Sequence, residues 1–244
     1  MSATRFFVAG VFALGTLVEL AGDDARKLLV VLRRSAGDEV EIVDSTGRAF
    51  VAELHVDGSR VRAALLREVD APPSFLLSID LAQAVPKGAK MDFVVEKATE
   101  LGVARVLPFA SERTVGDGER AGKVERWRRL AKSASQQCGR RDILRVETPQ
   151  TFAALIASFA AYDVALVPWE VAAATPLRER LPGLLAGART AIVAIGPEGG
   201  LSHAEALAAQ GAGAHLVSLG SRILRTETAG LVACCALRYA SGDL

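Results

Sequence analysis

The sequence has 244 residues, of which 50% are apolar and 23% are charged, and its formal net charge is +1. This length allows one large domain or two modest ones with a substantial core. The sequence contains no uninterrupted apolar run of about 18 residues, which argues against a transmembrane helix. Because the net charge is near zero, only a local concentration of basic residues would indicate nucleic-acid binding.

The N-terminal segment resembles a signal peptide only faintly, because Arg5 is its one basic residue and glycines interrupt its apolar part. We interpret this segment as a strand that enters a domain. The three cysteines, Cys138, Cys234 and Cys235, have no metal-site spacing. They are predicted to be reduced core thiols of a cytoplasmic protein, and no metal is expected.

Residues 1–71 are predicted to form a small β-barrel. Polar and apolar residues alternate, as is typical of strands, in three short stretches, 39–42, 50–54 and 61–65. Between the first segment and these strands, apolar residues at helical spacing predict a helix over 25–32. Asp23 or Asp24 is predicted to be its N-cap.

Pro72 and Pro73 mark the best candidate boundary, because two consecutive prolines cannot continue a helix or a central strand. From residue 72 to residue 244 the pattern alternates between strands and helices. Strands are predicted over 75–85, 103–109, 163–168, 190–195 and 215–219, and helices over 91–101 and 118–138. Short apolar strands between helices imply a parallel sheet covered on both faces, so the second domain is predicted to be α/β.

The segment 119–145 contains a block of basic residues with few acidic ones. The basic residues are Arg120, Lys123, Arg126, Arg128, Arg129, Lys132, Arg140, Arg141 and Arg145. Such a block is typical of surfaces that contact phosphate, but a solvated helix face has the same composition. The sequence leaves both interpretations open.

Three loops, 166–170, 195–200 and 218–228, each follow a predicted strand at its carboxyl end, where open parallel sheets bind ligands. The second loop has three glycines within five residues, which lets its backbone approach a ligand closely. It does not match a phosphate-binding loop, because no Lys-Ser or Lys-Thr follows the glycines and Glu198 would repel a phosphate.

Ser202 and Glu205, just after the second loop, have the spacing of a capping box, and His203 is predicted to be an exposed histidine of the first helical turn. In the third loop, Arg222 and Arg225 precede a helix that is predicted to begin at Thr226 or Thr228. These arginines could pair with Glu227 or face an anionic substrate, and spacing alone does not decide.

Two motifs, IGPEGGLS at 195–202 and VSLGSRILRTETA at 217–229, together resemble the signature of the RsmE-type methyltransferases of the SPOUT superfamily. This family methylates N3 of a uridine in small-subunit ribosomal RNA. The resemblance extends over nearly the whole chain through the segments 4–8, 28–47, 86–115 and 126–146.

The resemblance implies a C-terminal α/β domain with a deep trefoil knot, an exception to the rule that folds are unknotted. It also implies an N-terminal PUA-like RNA-binding barrel over 1–71, S-adenosylmethionine as cofactor, a homodimer, and 16S rRNA or the assembled small subunit as partner. The implied cofactor-binding residues are Leu166, Val167, Pro168, Glu170, Ile195, Gly196, Pro197, Glu198, Gly199, Gly200, Ser218, Leu219, Gly220, Ile223, Leu224, Arg225 and Thr228.

Uridine N3 becomes a good nucleophile only after it loses its proton, and an arginine beside O2 and O4 would favour the resulting anion. We assign this role to Arg225, with Arg222 as the alternative. Glu198 and Glu227 are candidates for a general base, but a positioning role suits each better, and water could take the proton. The residues expected to contact RNA are Arg5, Lys27, Arg33, Arg34, Lys87, Arg113, Arg126, Arg129 and Arg140.

Three other functions remain open at this point. A non-catalytic RNA-binding or assembly protein could retain this fold, although the intact glycines at 196, 199 and 200 argue against that. A methyltransferase of the same superfamily could act on transfer RNA or on another atom. A nucleotide-phosphate enzyme is disfavoured, because the sequence lacks a phosphate-binding motif.

Overall fold

The computed structural model describes residues 4–114, 121–170 and 175–244. The chain divides into two compact units, one formed by residues 1–73 and 135–142 and the other by residues 74–134 and 143–244. No local sequence pattern indicates that the short segment 135–142 joins the first unit. Within the described ranges, no helix is both long and apolar enough to cross a membrane.

The first unit is built on a curled, largely antiparallel sheet. Its strands are β1 (Arg5–Phe7), β2 (Leu17–Leu20), β3 (Glu39–Val43), β4 (Ala49–Asp57) and β5 (Arg60–Val69). Their order is β1-β3-β4-β5-β2, and only the β1–β3 pair is parallel. The alternation predicted for β5 is present, because Val61, Ala63 and Leu65 are buried while Arg62 is exposed.

The predicted helix of the first unit begins earlier than expected and changes type. Helix α1 (Gly22–Arg26) continues directly into a π-helical turn, Lys27–Val31. The N-cap prediction was wrong, because Ala21 holds that position and Asp23 and Asp24 lie in the first turn. Carboxylates are stabilised there by the positive end of the helix dipole, whichever residue is the cap.

The second unit contains a parallel sheet, as predicted. Its strands are β6 (Ser78–Ala84), β7 (Arg105–Ala110), β8 (Arg145–Val146), β9 (Gln150–Thr151), β10 (Val164–Pro168), β11 (Thr175–Pro176), β12 (Thr190–Ile195) and β13 (His215–Ser218). Their order is β11-β13-β10-β12-β6-β7-β8. The short strand β9 also pairs with β7, nearer the carboxyl end of β7 than β8 does. The central strand β12 is buried along almost its whole length, which explains its continuous apolar sequence.

Helices cover both faces of this sheet. They are α2 (Lys90–Glu100), α3 (Ala121–Cys138), α4 (Phe152–Ile156), α5 (Leu177–Leu184), α6 (His203–Gly211) and α7 (Thr226–Ser241). One apolar cluster joins α2 and α7 to the sheet and includes Val94 and Leu237. A second cluster on the other face includes Phe152 and Ala209. The α/β prediction is therefore confirmed, while the predicted start of α3 at residue 118 lies outside the described residues.

The cysteines have three different environments. All are free thiols, with Cys234 buried, Cys235 half-buried and Cys138 exposed. Burial raises the pKa of the Cys234 thiol to about 12, so this residue behaves as a small apolar side chain. The prediction of core thiols is correct for Cys234 and wrong for Cys138, whose helix ends at the surface.

Candidate active site

Three neighbouring strands of the parallel sheet end side by side at one edge. Strand β10 lies between β13 and β12, so the loops that follow Pro168, Ile195 and Ser218 meet there. These are the three loops singled out in the sequence. Their convergence follows from parallel pairing, which places the carboxyl ends of adjacent strands together.

A cavity of about 330 Å³ lies between the loops, a size typical of small-molecule sites. Its wall includes Lys90, Pro168, Glu170, Ile195, Gly196, Pro197, Glu198, Gly200, Leu201, Ile223, Leu224, Arg225, Thr226 and Ala229. A smaller cavity of about 110 Å³ shares Pro168, Glu170, Ile223, Leu224 and Ala229 with the first. Its wall adds Trp169, Ser218, Leu219, Gly220, Ser221 and Arg222.

Four residues predicted to bind the cofactor lie elsewhere in the same region. Leu166 and Val167 are buried within β10, where their side chains belong to the core. The Gly199 carbonyl accepts a hydrogen bond from Arg113 Nη1 at 2.9 Å. Thr228 is exposed on the first turn of α7.

The glycine loop needs glycine at two positions. A Cβ on Gly196 would lie 2.9 Å from the Leu201 backbone nitrogen, so the loop backbone would have to shift. Gly200 has φ of +67°, and a Cβ there would lie 2.6 Å from Glu170 Oε1. The Gly200 N–H donates to the Pro197 carbonyl at 2.9 Å and closes the turn. The loop thereby presents its backbone to the cavity.

A buried hydrogen-bond chain fixes the start of α7 against the glycine loop. Gln83 at the end of β6 is fully buried, and its Nε2 donates to Thr226 Oγ1 at 2.8 Å. The Thr226 hydroxyl in turn donates to the Gly196 carbonyl at 2.6 Å. Since Thr226 is the first residue of α7, this chain ties three elements together at the cavity wall.

Lys90 is the central charge of the cavity wall. Its Nζ lies 2.9 Å from Glu198 Oε1 and 3.7 Å from Glu227 Oε2. The Lys87 N–H also donates to Glu198 Oε1, at 3.0 Å. The Glu227 Oε2 atom is buried and has no hydrogen-bond partner among the described residues.

These contacts set the charge states of Lys90 and Glu198. Burial alone would raise the pKa of Glu198, but hydrogen bonds from Lys90 and from backbone N–H groups outweigh it, so this pKa is lowered. The hydrogen bond to Glu198 raises the pKa of Lys90, with a smaller opposing effect from Arg225. At neutral pH Lys90 is therefore an ammonium and Glu198 a carboxylate.

The two arginines of the third loop face different cavities. Arg225 is the N-cap of α7, is exposed and lines the larger cavity, whereas Arg222 is exposed and lines the smaller one. Glu227 pairs with Lys90 rather than with either arginine. The question that the sequence left open is thus answered for Glu227, and the Arg225 guanidinium lies at the larger cavity.

Comparison with known proteins gives the family. The RNA methyltransferase domain model matches residues 73–238, which contain the whole cavity. Ribosomal RNA small subunit methyltransferase E of Mycobacterium bovis is 32% identical over 96% of this chain and 90% of its own length. The chain belongs to the RsmE family. The Bacillus subtilis member is 29% identical, over 90% of this chain and 89% of its own length.

A solved structure of the family has the same fold over its whole length. The RsmE methyltransferase of Neisseria gonorrhoeae, bound to S-adenosyl methionine, matches with a TM-score of 0.88 at 31% identity. The match covers 97% of each chain. This RsmE-family chain therefore shares its architecture with that protein.

The capping box predicted beside the site is present in this family member. Ser202 Oγ accepts from the Glu205 N–H at 3.2 Å, and Glu205 Oε2 accepts from the Ser202 N–H at 2.9 Å. His203 is exposed in the first turn of α6, as predicted, and its ring centre lies 5.5 Å from that of Trp169. These three residues support the helix after the glycine loop.

The predicted RNA-contact residues of the first unit differ in availability. Arg5 is buried, pairs with Glu41 and donates to backbone carbonyls, so its guanidinium serves the fold. Lys27 Nζ donates to Gln136 Oε1 at 2.7 Å. Arg33 is exposed and has φ of +52°. The remaining two are ion-paired with neighbours, Arg34 with Asp38 and Arg140 with Asp142.

In the second unit, the predicted RNA-contact residues are more exposed. Lys87 and Arg129 are exposed and are not ion-paired within the described part of the chain. Arg126 pairs with Asp92 and stays 59% exposed. Arg113, already noted at Gly199, is also exposed.

Sequence reasoning missed three polar residues in or beside the wall of the larger cavity, namely Gln83, Lys90 and Thr226. Thr226 was considered only as a helix start, and Lys90 only as part of a motif. Two of the three lie near helix starts that follow strand ends, which is where residues reach a sheet-edge ligand. Gln83 was missed because its neighbours form an apolar strand. A lone amide inside such a strand was the signal that could have found it, because a buried amide needs hydrogen-bond partners.

Proposed function

We propose that this protein transfers a methyl group from S-adenosylmethionine to N3 of a specific uridine in the 16S rRNA of the small ribosomal subunit. The observation that supports this most strongly is the cavity between the loops at 195–200 and 218–226, in a chain of the RsmE family. Small-subunit ribosomal RNA as the substrate implies a cytoplasmic enzyme.

The residues of the cavity fit this methyl donor. The glycine loop lines the cavity at 196 and 200, and Glu170 and Glu198 complement the positive charge of the donor. When bound, the donor supplies an electrophilic methyl carbon: the acceptor nitrogen forms the new N–C bond, the C–S electron pair returns to sulfur to leave a thioether, and the acceptor proton goes to water. The protein then has mainly to position both partners.

Arg225 is assigned the role of stabilising the acceptor anion. Its exposed guanidinium lines the larger cavity, and a cation beside O2 or O4 lowers the pKa of the N3–H group. Arg222 remains the alternative at the smaller cavity. Glu198 and Glu227 hold Lys90 in this proposal and do not act as the base.

The knot, the RNA-binding role of the first unit and the dimer belong to the same proposal. We place a deep trefoil knot in the loops at 195–200 and 218–226, and a PUA-like RNA-binding function in the first unit, over residues 1–71. The active form is a homodimer with the site near its subunit interface. Family resemblance supports these points, and light scattering on the purified protein tests the dimer.

RNA binding is assigned mainly to the exposed cations, Arg33, Lys87, Arg113, Arg126 and Arg129, with Lys27, Arg34 and Arg140 beside them. Arg5 is assigned no direct RNA contact and only holds the neighbouring backbone in place. Replacing Lys87 and Arg129 with alanine should reduce the slope of log affinity against log salt by roughly one per lost phosphate contact. An unchanged slope would remove both residues from the interface.

The test of the proposed function is a methylation assay with labelled donor and small ribosomal subunits that lack the modification. Nucleosides are then separated and identified by mass spectrometry. A 3-methyluridine product is expected. A different methylated nucleoside would retain the enzyme and discard the acceptor, and subunit binding without methylation would favour an assembly protein.

A further inference from the structure

Among the described residues, the contacts of Lys90 do not use all of its hydrogen-bonding capacity. An ammonium has three N–H donors. One is directed to Glu198 at 2.9 Å, while the 3.7 Å separation from Glu227 is an ion-pair distance but too long for a hydrogen bond. The side chain is 35% exposed and lines the larger cavity. A ligand in that cavity can therefore receive a hydrogen bond from Lys90.

The charge of Lys90 does not match the positive groups of the methyl donor. A sulfonium and an amino group would be repelled by an ammonium, whereas Glu170 and Glu198 attract them. Lys90 also lies near enough to Arg225 for the two cations to affect each other, because Arg225 lowers the pKa of Lys90. Two cations on one wall suit an anion, and the candidates are the carboxylate of the donor and a deprotonated acceptor.

The acceptor anion has its charge on two oxygens. Loss of the N3 proton spreads negative charge onto O2 and O4, which lie on opposite sides of N3. A guanidinium on one side leaves the other oxygen without a cation. Two cations from different elements, Arg225 at the start of α7 and Lys90 at the start of α2, supply one for each side.

We propose that Lys90 is a second catalytic residue, whose ammonium contacts a carbonyl oxygen of the acceptor base and stabilises the N3 anion together with Arg225. This inference rests on the proposed function. The N3–H proton goes to water, and the N3 electron pair forms the bond to the methyl carbon. Glu198 and Glu227 hold the ammonium in place and keep it protonated.

The charged groups around Lys90 are known from each neighbouring element. Glu198 faces it from the glycine loop, Glu227 and Arg225 face it from α7, and Glu170 lines the same cavity. Because the Lys90 pKa is raised, this residue stays cationic across the pH range in which uridine N3 titrates. The pH dependence of methyl transfer therefore reports the acceptor.

The experiment measures single-turnover methyl transfer to unmodified small subunits from about pH 6 to about pH 9.5. For Lys90→Met, the ascending limb should move about one pH unit higher, with a rate about tenfold lower at neutral pH and convergence at high pH. Lys90→Arg should restore most of the loss. Lys97→Met is the matched control, because it removes a cation from the same helix at Glu96 and Glu100, and its profile should match the wild type.

A second readout does not depend on activity. Calorimetric titration with S-adenosylhomocysteine should give Lys90→Met an affinity within about threefold of wild type. A tenfold loss of this affinity with an unshifted pH profile would make Lys90 a donor-binding residue and overturn the proposal. A rate lowered by the same factor at every pH would also overturn it.

A second variant and an analysis of the reaction product complete the experiment. If Lys90→Met does not fold, Glu227→Gln serves instead: removing this carboxylate should shift the profile to lower pH, and an unshifted or raised profile contradicts the proposal. Product analysis of the wild-type reaction separates failure of the proposed function from failure of the Lys90 role alone. A product other than 3-methyluridine overturns the acceptor and the Lys90 role together, whereas 3-methyluridine with an unshifted Lys90→Met profile overturns the Lys90 role alone.

Discussion

The two ends of helix α7 (Thr226–Ser241) use charged residues in opposite ways. At the C-terminal end, Arg238 is buried and donates to the carbonyls of Leu77 and Gly102, each at 2.6 Å. It also contacts Asp243 at 3.1 Å. At the N-terminal end, Arg225 is exposed at a cavity.

The difference separates stability from function along one helix. Arg238 donates to the backbone carbonyls of Leu77, Leu101 and Gly102, so its hydrogen bonds serve the fold. At the other end, Glu227 Oε2 lacks a hydrogen bond within the described residues, and Lys90 retains donor capacity. Incompletely satisfied groups at a cavity are where a ligand gains binding energy.

Arg238→Ala should have the largest effect, and it should act on stability. Removing the guanidinium leaves buried carbonyls without their side-chain donor and removes the ion pair with Asp243, which costs about 3–5 kcal/mol of the free energy of unfolding. Denaturant unfolding measures it. Arg178→Ala is the control, because the Arg178 side chain is 86% exposed and its loss should change stability by less than about 0.5 kcal/mol. Equal stabilities for the two variants would contradict the stabilising role of Arg238.

Arg225→Ala should act on chemistry and leave stability nearly unchanged. Loss of the cation that stabilises the acceptor anion should lower the single-turnover rate about 100- to 1000-fold, with donor affinity within a few-fold of wild type. Rapid-quench methyl transfer and calorimetric titration measure the two quantities. If the rate stays within about threefold of wild type, Arg225 does not have this role.

Asp243→Asn should have the smallest effect, a loss of stability at neutral pH that disappears in acid. Burial alone would raise the Asp243 pKa, but hydrogen bonds from Leu76, Ser241, Leu77 and Arg238 outweigh it and lower this pKa below 3.8. The stabilisation is therefore present above that value and is lost as the pH falls through the folded-state pKa. Between pH 7 and pH 3, the wild type should lose more stability than Asp243→Asn. Equal losses would show that Asp243 does not contribute to acid unfolding.

Much of the fold followed from local pattern. The strand at 190–195 was predicted with the bounds that it has, because a buried parallel strand is apolar throughout. The buried face of α2, formed by Met91, Val94, Val95 and Ala98, followed from helical spacing. Convergence of the three loops followed from parallel order alone.

Other features depend on tertiary contacts that no local pattern encodes. Ala21 caps α1 without a side-chain hydrogen bond, so composition pointed to the neighbouring aspartates instead. Arg5 was expected to contact RNA, and only the fold brings Glu41 and the carbonyl of Arg140 to it. Likewise, the pairing of Lys90 with Glu198 joins residues that are 108 positions apart in the chain.

The most direct test of the account is whether the glycine loop forms the methyl-donor site. We would titrate S-adenosylmethionine by calorimetry into the wild type, Gly196→Ala and Gly211→Ala. A Cβ at 196 would lie 2.9 Å from the Leu201 nitrogen, whereas a Cβ at 211 meets open space, which makes that variant a matched control. The account predicts that Gly196→Ala loses at least about tenfold in affinity while Gly211→Ala binds like the wild type. Wild-type affinity in a folded Gly196→Ala protein would contradict the assignment of this cavity.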